Sequence, residues 1–161
     1  MSDFTAKHIE LTGGFRLAAP PDRIFWLFSP RGEERWVAGW RPELLHPADG
    51  GWAEGQVFRT PEQYGDAVWI VARLDRDAHA VSYYRVEPGR YVVRVDVSCR
   101  AAGADASDVR VAYVFVGLTG EGNREIAAMT QHEHDAKMER WRVAVGRCLA
   151  GGAPVDPLEA R

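Results

Sequence analysis

The chain opens on alternation. From Ile9 the odd positions Ile9, Leu11, Gly13, Phe15 and Leu17 are apolar or small, while His8, Glu10, Thr12, Gly14 and Arg16 sit between them. That period of two predicts a strand with one buried face, and the Gly13-Gly14 pair predicts a bulge or bend inside it. Pro20-Pro21-Asp22 predicts a helix start, because proline presets φ at the first helical position and an acid there complements the helix dipole. Ile24, Phe25, Leu27 and Phe28 form its buried stripe. Ser29-Pro30 closes that helix and opens a second one, with Ser29 as its cap and Gly39 as its end.

Beyond Pro47 the pattern turns to strands. Residues 56–60, 67–74, 80–86, 91–101 and 109–119 are rich in valine, tyrosine and other β-formers, and the short breaks between them predict antiparallel neighbours. Pro88-Gly89 has the order of a type II turn. Tyr91, Val93, Val95, Val97 and Cys99 alternate with Val92, Arg94, Asp96, Ser98 and Arg100, so one sheet face is buried and the other largely wet. The loop from Ala101 to Asp108 leaves either facing open for the strand that follows. After Gly120-Glu121-Gly122-Asn123, the stretch Arg124–Leu149 has no proline and no glycine before Gly146, which predicts one helix of about 25 residues and about 37 Å. Its inward stripe, at spacings of three and four, is Ala127, Thr130, His134, Met138, Trp141, Val145 and Cys148. Gly151-Gly152-Ala153-Pro154 ends it.

The order is α+β: a strand, two short helices, five or six more antiparallel strands and a long C-terminal helix. That helix is the element long enough to cover the apolar face of a curved six- or seven-stranded sheet. The 161 residues suit one domain over residues 1–150, with a flexible tail over 151–161. Composition changes this picture in one respect: the apolar fraction of 46% and charged fraction of 27% are ordinary, but six tryptophans are an excess that needs a use. A net charge of −3 with scattered arginines offers no basic run for a phosphate backbone, so nucleic acid is not an expected partner. No apolar run approaches the ~18 residues of a membrane span. The N-terminal MSDFTAKHIE lacks the layout of a signal peptide, so the expected location is the cytoplasm. There Cys99 and Cys148 are expected to be buried thiols.

Candidate chemistry is sparse. Gln131-His132-Glu133-His134-Asp135 is the densest ionisable cluster, but His132 and His134 are two apart, about 200° around a helix axis, and cannot chelate one ion together. No metal is expected. Glu133 is paired with Lys137 four residues on, as an exposed helix pair. His134, on the same stripe as Met138 and Trp141, faces the sheet, where it either hydrogen-bonds a ligand carbonyl, acts as acid or base near neutrality, or is satisfied by backbone or water at the core edge. Trp36 and Trp40 are four apart and share a face, with Glu33, Glu34 and Arg35 expected on the wet side. The two rings either complete the core or close the mouth of a space between helix and sheet. Of Trp69, Tyr83, Tyr84, Tyr91 and Tyr113, some must face the interior. No glycine-rich phosphate loop and no nucleophile motif is present, and no cofactor is expected.

The residues FRLAAPPDRIFWLF from Phe15, SPRGEERWVAGWRPELL from Ser29, the strand Tyr113–Thr119 and Glu121-Gly122-Asn123 ahead of the last helix carry a resemblance. The chain resembles the START-like, or SRPBCC, superfamily with the helix-grip fold of the birch-pollen allergen, over nearly its whole length from Lys7 to Leu149, and especially small polyketide cyclase/dehydrase-like members. The resemblance implies a deep, mainly apolar cavity between sheet and last helix, with Trp36, Trp40, Trp69, Tyr84, Tyr113, His134, Met138 and Trp141 as its expected lining. The implied partner is a small apolar or amphipathic molecule, and a second copy of the chain is left open. Two other expectations stand beside binding: a cyclase/dehydrase-like enzyme using the same cavity, and a protein-binding module like the chaperone-ATPase activators of that superfamily.

Overall fold

A computed structural model describes residues 3–61 and 66–154. Seven strands form one antiparallel sheet: β1 (His8–Leu17), β2 (Glu43–His46), β3 (Val57–Thr60), β4 (Ala67–Asp75), β5 (Ala80–Glu87), β6 (Tyr91–Ala101) and β7 (Ser107–Gly117). Their order is β1-β7-β6-β5-β4-β3-β2, so the first strand closes against the last and β2 forms the far edge. The sheet curves around the C-terminal helix in the helix-grip arrangement. The expected strands are present within a few residues of their predicted bounds, and β2 is one that the pattern did not announce. Its half-buried Leu44 is flanked by exposed Glu43 and Leu45, so it has little periodicity to read.

Gly13-Gly14 makes no bulge. β1 pairs with β7 without a register shift from His8↔Val116 to Leu17↔Ser107. The missing side chain serves close approach instead, for a Cβ at Gly13 would lie 3.1 Å from both the His134 ring and Met138 of the last helix.

The first helical stretch is α1 (Pro21–Ile24) followed by a 3-10 turn, Phe25–Phe28. The second is only one turn long, α2 (Pro30–Glu33), with Ser29 Oγ accepting from the Gly32 amide at 2.9 Å. Irregular turns carry the chain on to Gly39, whose φ of 77° suits glycine. The C-terminal helix is also shorter than predicted. It is split into α3 (Gly120–Ala128) and α4 (Gln131–Leu149), with Met129 extended between them. The cause is a capping box: Thr130 Oγ1 accepts from the Glu133 amide at 3.2 Å, and the Glu133 carboxylate accepts from the Thr130 amide at 3.0 Å. The break resets the helical phase, so that Ile126 rather than Ala127 is buried. Glu133 is thereby committed to the cap, and Lys137 is not its exposed partner.

Inward rows alternate as strands require. Val81, Tyr83, Arg85 and Glu87 of β5 face the helix side together with Val93, Val95 and Val97 of β6 and Val109, Val111, Tyr113 and Phe115 of β7. Cys99 and Cys148 are free thiols, buried and half-buried. No helix among the described residues is long and apolar enough to cross a membrane. Residues 155–161, most of the expected tail, lie outside the described residues.

Gly32 sets the position of the segment that carries Trp36. A Cβ there would lie 2.0 Å from the Trp26 carbonyl oxygen and 2.6 Å from Leu27 Cα, both backbone. Gly32→Ala is therefore expected to cost about 2 kcal/mol or more, the scale of overpacking a close contact, read as a lowered urea midpoint. An unchanged midpoint would show that α2 is free to shift.

Candidate functional site

The tryptophans are fixed through their polar edges. Trp36 Nε1 donates to the Leu27 carbonyl at 2.8 Å, Trp40 Nε1 to the Pro30 carbonyl at 2.8 Å and Trp69 Nε1 to Thr60 Oγ1 at 2.9 Å. With those N–H groups satisfied, the rings offer only hydrocarbon to their neighbours. Trp36 meets Trp141 edge-on at 5.2 Å, and Trp40 meets Trp69 edge-on at 5.9 Å. Trp36 lies in the core and Trp40 is half-buried against it, and both border a cavity of about 280 Å³. Tyr83 shares that wall, its hydroxyl donating to the Phe28 carbonyl at 2.7 Å and accepting from Trp52 Nε1 at 3.0 Å.

A second chamber of about 350 Å³ lies toward β1 and α3, against Leu11, Tyr91, Phe115, Met129 and His134. Arg85, Tyr113, Lys137 and Arg140 border both chambers and form the seam between them. His134 is 3% exposed, its Nε2 donating to the Val111 carbonyl at 3.3 Å and its ring edge-on to Tyr113 at 5.3 Å. Burial lowers its pKa, partly offset by that carbonyl.

Of the eight expected lining residues, Trp36, Trp40, Trp69, Tyr113 and Trp141 border the first chamber, and Tyr113 and His134 the second. Met138 is buried at the seat against Gly13 and borders neither. Tyr84 is a correction: it is 40% exposed on the outer face, opposite Ile70 and Arg94. It shares that face with Ser82, a polar neighbour two residues away that signals the wet side, whereas Tyr83 points inward.

The larger surprise is charge. Glu33, expected in water, borders the first chamber. Burial raises its carboxyl from the ordinary 4.5 to about 8, and no ion pair or hydrogen bond to its carboxyl relieves it among the described residues. Lys137 stands with its Nζ 4.5 Å from the Tyr113 ring centre. Burial first, then the nearby guanidinium groups of Arg85 and Arg140, bring its ammonium down from 10.5 to about 8. Burial pushes the Tyr113 phenol up to about 12. Arg85 Nε lies 3.1 Å from the Glu87 carboxylate and its guanidinium 5.3 Å over Trp69. Glu87 is shared with Arg90, which also grips Glu125 of α3. Arg85 was legible as an inward position of β5 by alternation with Tyr83. Glu33 was not, because a one-turn helix fixes no face. Among the described residues no cluster of histidine, cysteine and carboxylate groups suits a metal ion.

No family model matches the chain, and no curated protein does. Similarity is to solved structures. Norcoclaurine synthase from Thalictrum flavum superposes with a TM-score of 0.65 at 12% identity, over 92% of this chain and 99% of that one. Another structure of that enzyme, in complex with dopamine and hydroxybenzaldehyde, gives 0.62 at 11% identity over 91% of this chain and 86% of that one. The Mll3558 protein from Rhizobium loti gives 0.60 at 17% identity over 92% and 99%. The di-domain ARO/CYC BexL of the BE-7585A biosynthetic pathway gives 0.67 at 12% identity, over 85% of this chain and 46% of that one. The chain thus has the helix-grip fold that these structures share.

Glu33 makes stability depend on pH in a definite direction. Below about 4.5 folded and unfolded chains both hold its proton; between about 4.5 and 8 only the folded chain does, so stability falls as pH rises through that window. Glu33→Gln has no proton to lose. It is expected to match the wild type at pH 4 and to exceed it by about 1–3 kcal/mol at pH 7, measured by urea denaturation at both values. An equal difference at the two pH values would mean that the carboxyl titrates normally.

Proposed function

We propose that the chain binds a small, flat, apolar or amphipathic molecule in the space between its sheet and α4. The observation that carries this reading is the first chamber, about 280 Å³ bordered by four tryptophans, three of which have their N–H groups satisfied within the protein. Such a wall rewards apolar surface at about 25 cal/mol per Å² and leaves orientation to a few polar groups. The chamber is at the small end for ligand sites, which suits one or two fused rings. That norcoclaurine synthase holds dopamine and hydroxybenzaldehyde on this fold supports a guest of that size.

A second reading, a polyketide cyclase/dehydrase-like enzyme in the same chamber, is favoured by a separate observation. Glu33 and Lys137 border one space and both titrate near pH 8, so near neutrality one holds a proton it can donate and the other can release or take one. The protein-binding alternative has less support. The exposed large apolar side chains among the described residues, including Phe4, Trp26, Leu45 and Leu118, lie on separate segments, and only Ile70 and Tyr84 are cross-strand neighbours.

Tryptophan fluorescence titrated with a panel of one- and two-ring aromatics, together with native mass spectrometry, tests the binding reading. Saturable quenching is expected. Val97→Phe, which puts a ring into the chamber from its β6 wall, is expected to abolish it while the protein stays folded. No saturable binding by any member of the panel overturns the reading. With a reactive polyketone, Glu33→Gln and Lys137→Met are expected to lower turnover about a hundred-fold if proton transfer occurs there. Absence of any such loss removes the enzyme and leaves the carrier.

A further inference from the structure

Of the three buried side-chain polar atoms without a partner among the described residues, two, Arg85 Nε and Arg140 Nε, lie at the seam between the chambers. Lys137 has its ring contact with Tyr113 but no ion pair among the described residues. Arg140 has neither an ion pair nor a hydrogen bond there, and its Nε is buried without a partner. Arg85 Nε is also buried without an aligned hydrogen bond, although Glu87 stands 3.1 Å away. The Tyr113 hydroxyl makes no hydrogen bond to any described residue. Three cations therefore border one space, and Arg85 and Arg140 are near enough to Lys137 to disfavour its charge.

The acids that could balance them are mostly engaged elsewhere. Glu87 divides itself between Arg85 and Arg90, Glu33 keeps its proton near neutrality, and Glu133, which borders the second chamber and offsets part of the shift at Lys137, is engaged in the α4 cap. His134 is held by Val111 and burial keeps it neutral. Such a cluster costs stability while the space is empty, because like charges repel and buried N–H groups go unpaired. A carboxylate answers both problems, since its two oxygens match the planar fork of a guanidinium and its charge offsets the cations.

We propose that the occupant is an aromatic carboxylate, its ring lying among Trp36, Trp40, Trp69 and Trp141 and its carboxylate at the seam on Lys137, Arg140 and Arg85. This rests on the cavity reading and assigns the polarity of the guest. The tryptophan chamber and the seam adjoin, so one or two fused rings place the anion within reach of the cations. A cationic head in the same position would meet three like charges.

The test compares three probes of one shape by isothermal titration calorimetry at pH 7 and low salt: 2-naphthoate, naphthalene-2-carboxamide and 2-naphthylmethylammonium. The carboxylate is expected to bind at least ten-fold more tightly than the carboxamide, and the ammonium more weakly than the carboxamide. In the double variant Lys137→Met with Arg140→Met, checked for folding by circular dichroism, the carboxylate-to-carboxamide ratio is expected to fall to within about two-fold of unity. The wild-type comparison needs no variant, so a misfolded double variant leaves the test intact. Equal or tighter binding of the carboxamide overturns the headgroup assignment and leaves the cavity reading standing. Failure of all three probes to bind overturns both.

Discussion

Where Gly13 leaves β1 without a side chain, His134 and Met138 of α4 come down onto the sheet, each 3.1 Å from the place a Cβ would take. That seat fixes one flank of the helix against β1 and β7, with the His134 ring fastened to the Val111 carbonyl. It also decides what happens on the other flank. A straight helix held close over one side of a curved sheet cannot touch strands that curl away from it, so α4 leaves a wedge over β4, β5 and β6. Trp141, one turn past Met138, is the helix's contribution to that wedge. The remainder is supplied by the segment after α2, which hangs Trp36 from Leu27 and Trp40 from Pro30.

Filling a wedge with indole rings has a geometric consequence. Edge-on pairs such as Trp36 with Trp141 and Trp40 with Trp69 leave gaps that their rigid bodies cannot close, unlike flexible side chains such as methionine. The methionine available to α4 is at the seat, not in the wedge. The same separation leaves Arg85, Lys137 and Arg140 half-buried at the seam, where the chain supplies no full set of acceptors. Hydrophobic walls and unpaired cations thus have one origin, the wedge that opens where α4 is held against β1.

How far this was legible depends on how each feature is encoded. The sheet was legible where β6 alternates with period two over eleven residues, which fixes the shared facing of Val95 and Val97; β7 is apolar from Val111 to Val116, so Tyr113 takes its facing from the pairing with Val95. The break in the C-terminal helix was written as Thr130-x-x-Glu133, a capping box inside an otherwise helical run, but a longer periodicity masked it. Trp36, Trp40, Trp69, Tyr113, His134 and Trp141 were identified by size and position. Tyr84 was misplaced because its neighbour Tyr83 is identical and only the phase of Ser82 separates them. Glu33 and Lys137 escaped because local rules send isolated charges to water, and only the three-dimensional wedge reverses that.

Rules of this kind tend to fail at places where a chain has a use for the exception. Four ionisable groups, Glu33, Arg85, Lys137 and Arg140, border the same chamber, while a fifth on the inner face, Glu87, lies outside it and is paired with Arg85 and Arg90. Lys137 and Arg140 are neighbours on α4, and Glu33 and Arg85 reach the same chamber from α2 and β5. Sequence change could relieve them cheaply, for an apolar residue at 33 or 137 would extend the wall already present. Their presence is hard to account for by stability alone, because burial of Glu33 and Lys137 disfavours the charged forms that water would stabilise. On the binding reading the deficit has a purpose: whatever settles the unpaired groups stabilises the folded state by mass action, so occupancy and stability are linked through the same side chains.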